Sequence, residues 1–342
     1  MNQTFQTLSI AALVCCGWAV SREAHAQQPL PEGRSGLAAK HPGDRGIDAD
    51  PAVVFADGFE SASVEAIAER WGQASNAKIM SLSDDVPEAG LGGKSLLFTH
   101  VGGLSTGGHL YRPLEPGHDR LHYRFYVKFA EECWPIHHFF HVGGYNPPTA
   151  WPQGGAGARP RGDERFTVGI EPHGKLWQWD YYAYWKDMRG SPPRGLPWGN
   201  SFIRSDQTKV QQGRWMCIET MVSLNEIGRG DGELALWIDG HLISHVGPGF
   251  PKGLWEFDKF IPGRGGIGQR WDDDAGSAIK LPSPEGGSPF GGFEWRTDPA
   301  LDLNFLWLLV YITDAPRGHV SEIWFDNIVV ATQYIGPVEP EG

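Results

Sequence analysis

The sequence predicts an all-β sandwich with long loops, and three observations carry that expectation. Short segments alternating apolar and polar residues recur between turn signals, glycine (46) and proline (26) are plentiful in 342 residues, and helical periodicity is scarce. Strands never alternate with helical stretches, which excludes a doubly wound parallel sheet.

The elements follow in chain order. Leu8 to Val20 is an apolar run ending in Ala24-His25-Ala26, the pattern of an export signal over residues 1–26. The run is shorter than the roughly 20 apolar residues that span a bilayer, and no later segment is long enough. A secreted or periplasmic chain without a membrane span is expected. Residues 27–50 carry Pro, Gly and charge without periodicity, which reads as a disordered lead-in, and one domain is expected over 51–342.

Strands are expected at Ser95 to His100, Leu121 to Phe129, Phe166 to Glu171, Leu176 to Trp185, Trp215 to Leu224, Leu234 to Ile238, Asn304 to Ile312 and Ile323 to Ala331. Val64 to Trp71 supplies the one helical turn. Three long connections, Gly143 to Gly162, Met188 to Asn200 and Gly263 to Gly292, read as loops that are either functional or disordered. The last contains Gly263-x-Gly265-x-x-Gly268, which lacks the strand and helix of a dinucleotide site and reads as loop. Cys133 and Cys217 remain after signal removal and form either one disulfide or two separate buried thiols.

Charge and side-chain chemistry narrow the function. The chain is acidic, with a formal net charge of −12, which argues against a nucleic-acid partner. Between Trp134 and Trp215, however, ten Lys/Arg stand against six Asp/Glu, a locally basic segment suited to an anionic ligand. Fifteen tryptophans supply core and flat surfaces on which sugar rings stack.

Residues two apart on a strand share a face, so Tyr182 and Tyr184 project with Gln178 and Asp180, while Trp177, Trp179, Tyr181 and Trp185 form a packing face. The plainer alternative is an ordinary aromatic strand. Arg165 and Thr167 also share a face, and Arg grips a carboxylate with two parallel hydrogen bonds. A surface ion pair with Asp163 or Glu164 is the competing account. Ile136-His137-His138-Phe139-Phe140-His141-Val142 is the densest histidine cluster. As a strand it would put His137 and His141 on one face and His138 on the other. Proton transfer suits these histidines, with zinc as a rival for which no cysteine and no obvious carboxylate stands at ligand spacing.

The segments Trp215 to Asn225 and Asp231 to Gly240 resemble paired strands of concanavalin A-like lectin/glucanase domains, as do Phe55 to Glu60 and Trp324 to Pro337 the first and last strands. Within that superfamily the chain resembles the jelly-roll polysaccharide lyases of the alginate and glucuronan lyase type. Their basic residue before Gly-Gly matches His137 or His138 before Gly143-Gly144, their Ser-x-Arg strand Arg165-Phe-Thr167, and their Tyr-x-Tyr strand Tyr182-Ala-Tyr184. Histidine stands here for their lysine, and Arg165 precedes the position of theirs.

The resemblance implies a jelly-roll fold and β-elimination on an acidic, uronate-containing polysaccharide. His137, His138, His141, Arg165, Tyr182 and Tyr184 would be catalytic; Thr167, Gln178, Asp180, Lys186 and Glu219 would contact substrate, Glu219 by holding His or Arg in place across the cleft. No cofactor is required, though Asp57, Glu60 and Asp326 are candidates for structural calcium where first and last strands meet, and Asp272-Asp273-Asp274 a weaker one. Two functions compete: a non-catalytic carbohydrate-binding, lectin-like protein, and a glycoside hydrolase. The hydrolase needs two carboxylates about 5 to 10 Å apart, and Glu219 and Glu256-x-Asp258 are the nearest approach to that.

Overall fold

The computed structural model describes residues 29–88, 92–203 and 208–340, so the expected export signal lies outside the described residues. Two antiparallel sheets face each other. One holds β1 (Val53–Asp57), β3 (Met80–Ser83), β4 (Ser95–Val101), β6 (Arg120–Phe129), β10 (Met216–Ser223), β11 (Glu233–Ile238), β12 (His241–Val246) and β19 (Val320–Ala331). Its order is β12-β11-β10-β6-β19-β4-β3, with β1 on β19. The other runs β2 (Gln73–Ser75), β5 (Gly107–His118), β18 (Leu303–Tyr311), β7 (Phe140–Tyr145), β8 (Arg165–Glu171) and β9 (Asp180–Tyr184). All eight expected strands are present, although the one expected from Leu176 is extended only from Asp180.

Alternation in the six-stranded sheet decides what faces where. Phe140 and Val142, Phe166, Val168 and Ile170, Tyr181 and Ala183, and Leu306, Leu308 and Val310 point into the sandwich and are buried there. Phe140 stacks on Phe125 of β6 at 4.1 Å and Phe139 on Phe325 of β19 at 5.2 Å, joining the two layers. The alternate residues therefore lie on the outer face, and register aligns them: His141 opposite Gly169, Gly143 opposite Thr167, Gly169 opposite Tyr182, Thr167 opposite Tyr184. One strand parity thus gathers the expected site residues.

The expected helix is α1 (Val64–Trp71), capped by Ser63, whose side chain accepts from Ala66 N–H, and anchored by buried Ile67 and Trp71. The Asp239-Gly240 turn has both residues at positive φ (51° and 81°), as a two-residue hairpin between β11 and β12 requires.

Two expectations are corrected. Residues 31–50 are packed rather than a disordered lead-in: three short 3-10 turns bury Leu37, Ala38 and Ile47 against Val329, Ala331 and Ile335. Backbone bonds from Leu37 and Ala38 to Tyr334 and Ile335 and the buried Arg124–Asp44 ion pair lock them there. Those few apolar residues were too sparse to show as periodicity. The Gly263–Gly292 stretch is also no loop. With β13 (Lys252–Glu256) and β14 (Lys259–Pro262) it builds a third, small sheet from β15 (Gly266–Asp272), β16 (Ser277–Ser283) and β17 (Ser288–Pro289). Its Gly-x-Gly-x-x-Gly run enters β15 and no helix follows. Cys133 and Cys217 are buried free thiols.

Candidate active site

The outer face of the six-stranded sheet opens into a cleft of about 650 Å³ lined by His137, His138, Glu171, Tyr182, Trp198 and Asp314, among others. Glu171 is its centre. It ends the Arg165-Thr167-Gly169-Glu171 face of β8, and its Oε1 accepts from His138 Nδ1 at 2.9 Å and His141 Nε2 at 3.0 Å. Burial alone would raise its pKa, but the two histidine hydrogen bonds outweigh that and hold it at about 2. Glu171 is therefore a carboxylate across the neutral range. As an acceptor it fixes His138 with Nδ1 protonated, leaving Nε2 without a partner among the described residues. His141 is buried, and desolvation lowers its pKa, so it is a neutral donor to Glu171.

The histidine cluster does not follow the alternation expected of it. β7 begins only at Phe140, and residues 136–139 arrive by an irregular path whose backbone pairs with Tyr311. His138 and His141 consequently reach one carboxylate from positions three apart. His137 is at the cleft as well, bonded to Thr313 Oγ1 at 3.1 Å. Gly169 makes room for this arrangement: a Cβ there would lie 2.7 Å from the His141 ring and 3.2 Å from Glu171 Oε1.

Beside the triad, the Tyr182 and Tyr184 hydroxyls meet at 3.1 Å, and the Tyr182 ring lies 4.9 Å from that of His138. Burial, then the neighbouring Tyr184, pushes the Tyr182 pKa well up, so its phenol keeps its proton. Arg165 makes no pair with Asp163 or Glu164, which go to Arg161. Its guanidinium lies 5.6 Å over the Tyr184 ring. Its Nη2 donates to the carbonyls of Gly155 (3.2 Å) and Ala158 (2.6 Å).

Those carbonyls belong to the long loop after β7, which lies over this half of the face. Gly157 N–H donates to Tyr184 OH (3.4 Å), Gln153 N–H to Tyr145 OH (3.1 Å), and Tyr111 OH to Thr149 O (3.2 Å). Trp151 on this loop and Trp198 facing the cleft are exposed. The His138 half is open; the Arg165 half is covered.

Other expected contacts lie elsewhere. Thr167 is on the cleft face between Gly143 and Tyr184. Asp180 is buried and accepts from the N–H groups of Tyr181, Phe202 and Ile203, so it anchors the 200–203 segment instead of facing substrate. Gln178 precedes β9 and bridges to Lys209, and Lys186 lies beyond Tyr184 on Glu294 at 2.7 Å. Glu219 sits in the other sheet, bonded to His122 Nδ1 at 2.9 Å and to the N–H groups of Ile335 and Gly336. It holds a histidine, as expected, but away from the cleft. Glu171 was missed, although the strand parity that pairs Arg165 with Thr167 carries on to it.

Among the described residues one group of three histidine, cysteine or carboxylate donors converges, and it does not include Asp57, Glu60 and Asp326. His138, His141 and Glu171 bring ligand atoms within 4.8 Å of one another, which supplies the carboxylate that a zinc reading lacked. Here both histidines are bonded to Glu171. At the seam of β1 and β19, Asp57 and Glu60 line a pocket of about 390 Å³ with Asp44 and Asn327. Asp57 also receives Phe59 N–H and Trp71 Nε1–H, and Glu60 receives Gly93 and Lys94 N–H. Burial raises the pKa of Asp326, with Glu60 and Asp44 adding to it, and Asn327 Oδ1 is a buried acceptor lacking a donor among the described residues. Arg70 pairs with Asp57 at 3.7 Å and Arg124 with Asp44, which leaves Glu60, Asp326 and Asn327 Oδ1 as the oxygens that would suit a hard cation.

No family model and no curated protein matches the sequence. Solved structures do. A doubly substituted alginate lyase Aly36B in complex with alginate tetrasaccharide is 14% identical, with 84% of this chain and 99% of that one covered and a TM-score of 0.52. The marine PL-14 alginate lyase from Aplysia kurodai is 13% identical, with 82% and 99% covered and a TM-score of 0.51. At these identities the likeness speaks for architecture, and the chain has the concanavalin A-like jelly-roll fold seen in alginate lyases.

Proposed function

We propose that this protein is a polysaccharide lyase that cleaves a uronate-containing glycan by β-elimination. The observation that carries the reading is the Glu171–His138 pair beside the Tyr182–Tyr184 hydroxyl pair, on one face of one sheet and open to a cleft. Elimination needs a base for the C5 proton, an acid for the departing O4 and a charge to balance the substrate carboxylate.

In this reading His138 Nε2 takes the C5 proton. The electron pair released becomes the C4=C5 double bond, the C4–O4 bond breaks, and the Tyr182 phenol protonates O4. Glu171 stabilises the imidazolium as it forms, and His141 holds Glu171. Arg165 balances the uronate carboxylate once the 149–158 loop moves, because the Gly155 and Ala158 carbonyls stand where carboxylate oxygens would bind its fork. Trp198 and Trp151 offer stacking surfaces for neighbouring sugars. Nothing in this sequence of steps uses a cofactor. Calcium, proposed at the β1–β19 seam, would be held by Glu60, Asp326 and Asn327 Oδ1 and would serve the fold only. A location outside the cell is part of the same reading, since it brings the chain to a polymer substrate.

The test is to incubate the protein with alginate, glucuronan, pectate and glycosaminoglycans and follow ultraviolet absorbance of the unsaturated product. Rising absorbance on one polymer supports elimination and identifies the uronate. New reducing ends without absorbance would mean hydrolysis, and retained glycan binding without cleavage would mean a lectin-like protein.

A further inference from the structure

Arg189 lies outside the cleft just described, in the 188–200 connection, and its main chain is fixed from both sides. Asn200 Oδ1 accepts its N–H at 2.8 Å, and Asn200 Nδ2 donates to its carbonyl at 2.8 Å. Its side chain runs to the third sheet, where the guanidinium stacks 4.4 Å over the Trp255 ring. There the partners end. Among the described residues no carboxylate pairs with Arg189, and its Nη1 is buried with no hydrogen-bond acceptor.

The smaller of its two pockets carries, among the described residues, no carboxylate that could serve as partner. Among the described residues Arg189 is the only charged one lining a pocket of about 240 Å³, whose walls are Trp255, Phe260 and Leu281 with the hydroxyls of Ser283 and Ser288. Arg270 lies behind it, on a second pocket of about 520 Å³ that also admits Arg189. Asp187, Asp272, Asp273 and Asp274 line that second pocket, where Asp272 faces Arg270 and Asp187 faces Lys186, each at 3.6 Å, but none of them lines the first. Burial and then the Arg270 charge bring the Arg189 pKa down to about 10, so it stays charged at neutral pH while lacking a counter-ion. A half-buried guanidinium with one buried nitrogen lacking an acceptor is costly, and a bound oxyanion would supply both charge and acceptors.

We propose that Arg189 is the anchor of a second anion site, which takes the carboxylate of a single uronate unit and seats its ring against Phe260 and Leu281. The pocket holds one sugar and no more, and its apolar walls with two hydroxyls suit a ring better than a bare ion. The choice of uronate rests on the elimination reading; the anion site does not.

Phenylglyoxal labelling of Arg189 in the intact protein, read by peptide mass spectrometry, tests this directly. At ten times its dissociation constant D-glucuronate leaves about a tenth of the sites free, so Arg189 labelling should slow about tenfold. Methyl glucoside should give no protection. Calorimetric titration of Arg189→Met, checked for folding by circular dichroism, should show the corresponding glucuronate binding lost, whereas His138→Ala should keep it. Equal protection by sulfate and glucuronate would overturn the uronate assignment. Absence of protection by either, or an Arg189 that never labels, would overturn the site. Because labelling does not depend on cleavage, a protein that protects Arg189 yet yields no unsaturated product would contradict elimination alone.

Discussion

Glu171 and Glu219 occupy nearly the same chemical setting in opposite sheets. Each is a buried glutamate on a central strand segment, and each accepts from a histidine Nδ1 at 2.9 Å. What differs is where the histidine's other nitrogen goes. His122 is buried between Trp237 and Tyr334, and Glu219 spends its remaining capacity on the N–H groups of Ile335 and Gly336, pinning the C-terminal segment to β10. His138 instead borders an open cleft with a tyrosine hydroxyl pair beside it. A histidine–carboxylate pair is thus a structural rivet or a proton-transfer device according to what its free edge meets.

That contrast breaks most visibly at His138. His138→Ala and Tyr182→Phe should each lower kcat by about 10²- to 10⁴-fold, the usual worth of one positioned proton-transfer group, with little change in thermal midpoint. Stopped assays on the responsive polymer check this, and a variant with near-normal kcat would remove that residue from the chemistry.

Gly169→Ala comes next. Its Cβ would press on the His141 ring, so it should cost about 1–3 kcal/mol of stability through overpacking and reduce kcat by disturbing Glu171. Denaturant melts and rates measured together separate the two effects.

Stability against pH gives a smaller effect with a definite sign. The Glu171 pKa is depressed in the folded state from 4.5 to about 2, so its contribution is complete above pH 4.5 and is lost as pH falls through that range. His109, edge-on to Trp307 and bonded to Gln73, has its pKa lowered by burial from 6.5 to about 4. Being favoured neutral in the fold, it too contributes above pH 6.5 and loses that contribution down to pH 4. Thermal midpoints should therefore rise from pH 4 to 6.5, and His109→Gln should reduce that slope, the rest coming from other histidines lowered by burial, His141 among them.

Chelation is the mildest probe. Removing the proposed calcium should lower the thermal midpoint through the β1–β19 seam, whose pocket shares no lining residue with the His138 cleft, and leave the elimination rate of the folded protein unchanged. A chelator that stops elimination without unfolding the protein would instead favour a metal on His138, His141 and Glu171.

How much of this was legible in the sequence depends on whether the signal was local. Strand parity is local, and it put Tyr182 with Tyr184 and Arg165 with Thr167 on one face, as the register bears out. The histidine faces failed because the period of two begins at Phe140 and not at Ile136. Glu219 was misplaced because nothing along a strand says which sheet it joins or which side of that sheet is open. Arg165 was read as a carboxylate grip, but that loop backbone fills its fork is a contact across several residues of irregular chain, invisible to spacing. The packing of residues 31–50 was missed for a related reason: three buried side chains in 3-10 turns leave no period to detect.

The central claim is that Glu171 serves chemistry and Glu219 serves the fold, and the matched pair Glu171→Gln and Glu219→Gln tests it with two readouts, elimination rate and thermal midpoint. The account predicts that Glu171→Gln loses most of its kcat while remaining folded at neutral pH, and that Glu219→Gln keeps its kcat but loses about 1–3 kcal/mol of stability through its broken buried hydrogen bonds. Equal kcat in Glu171→Gln and the unaltered protein would contradict it.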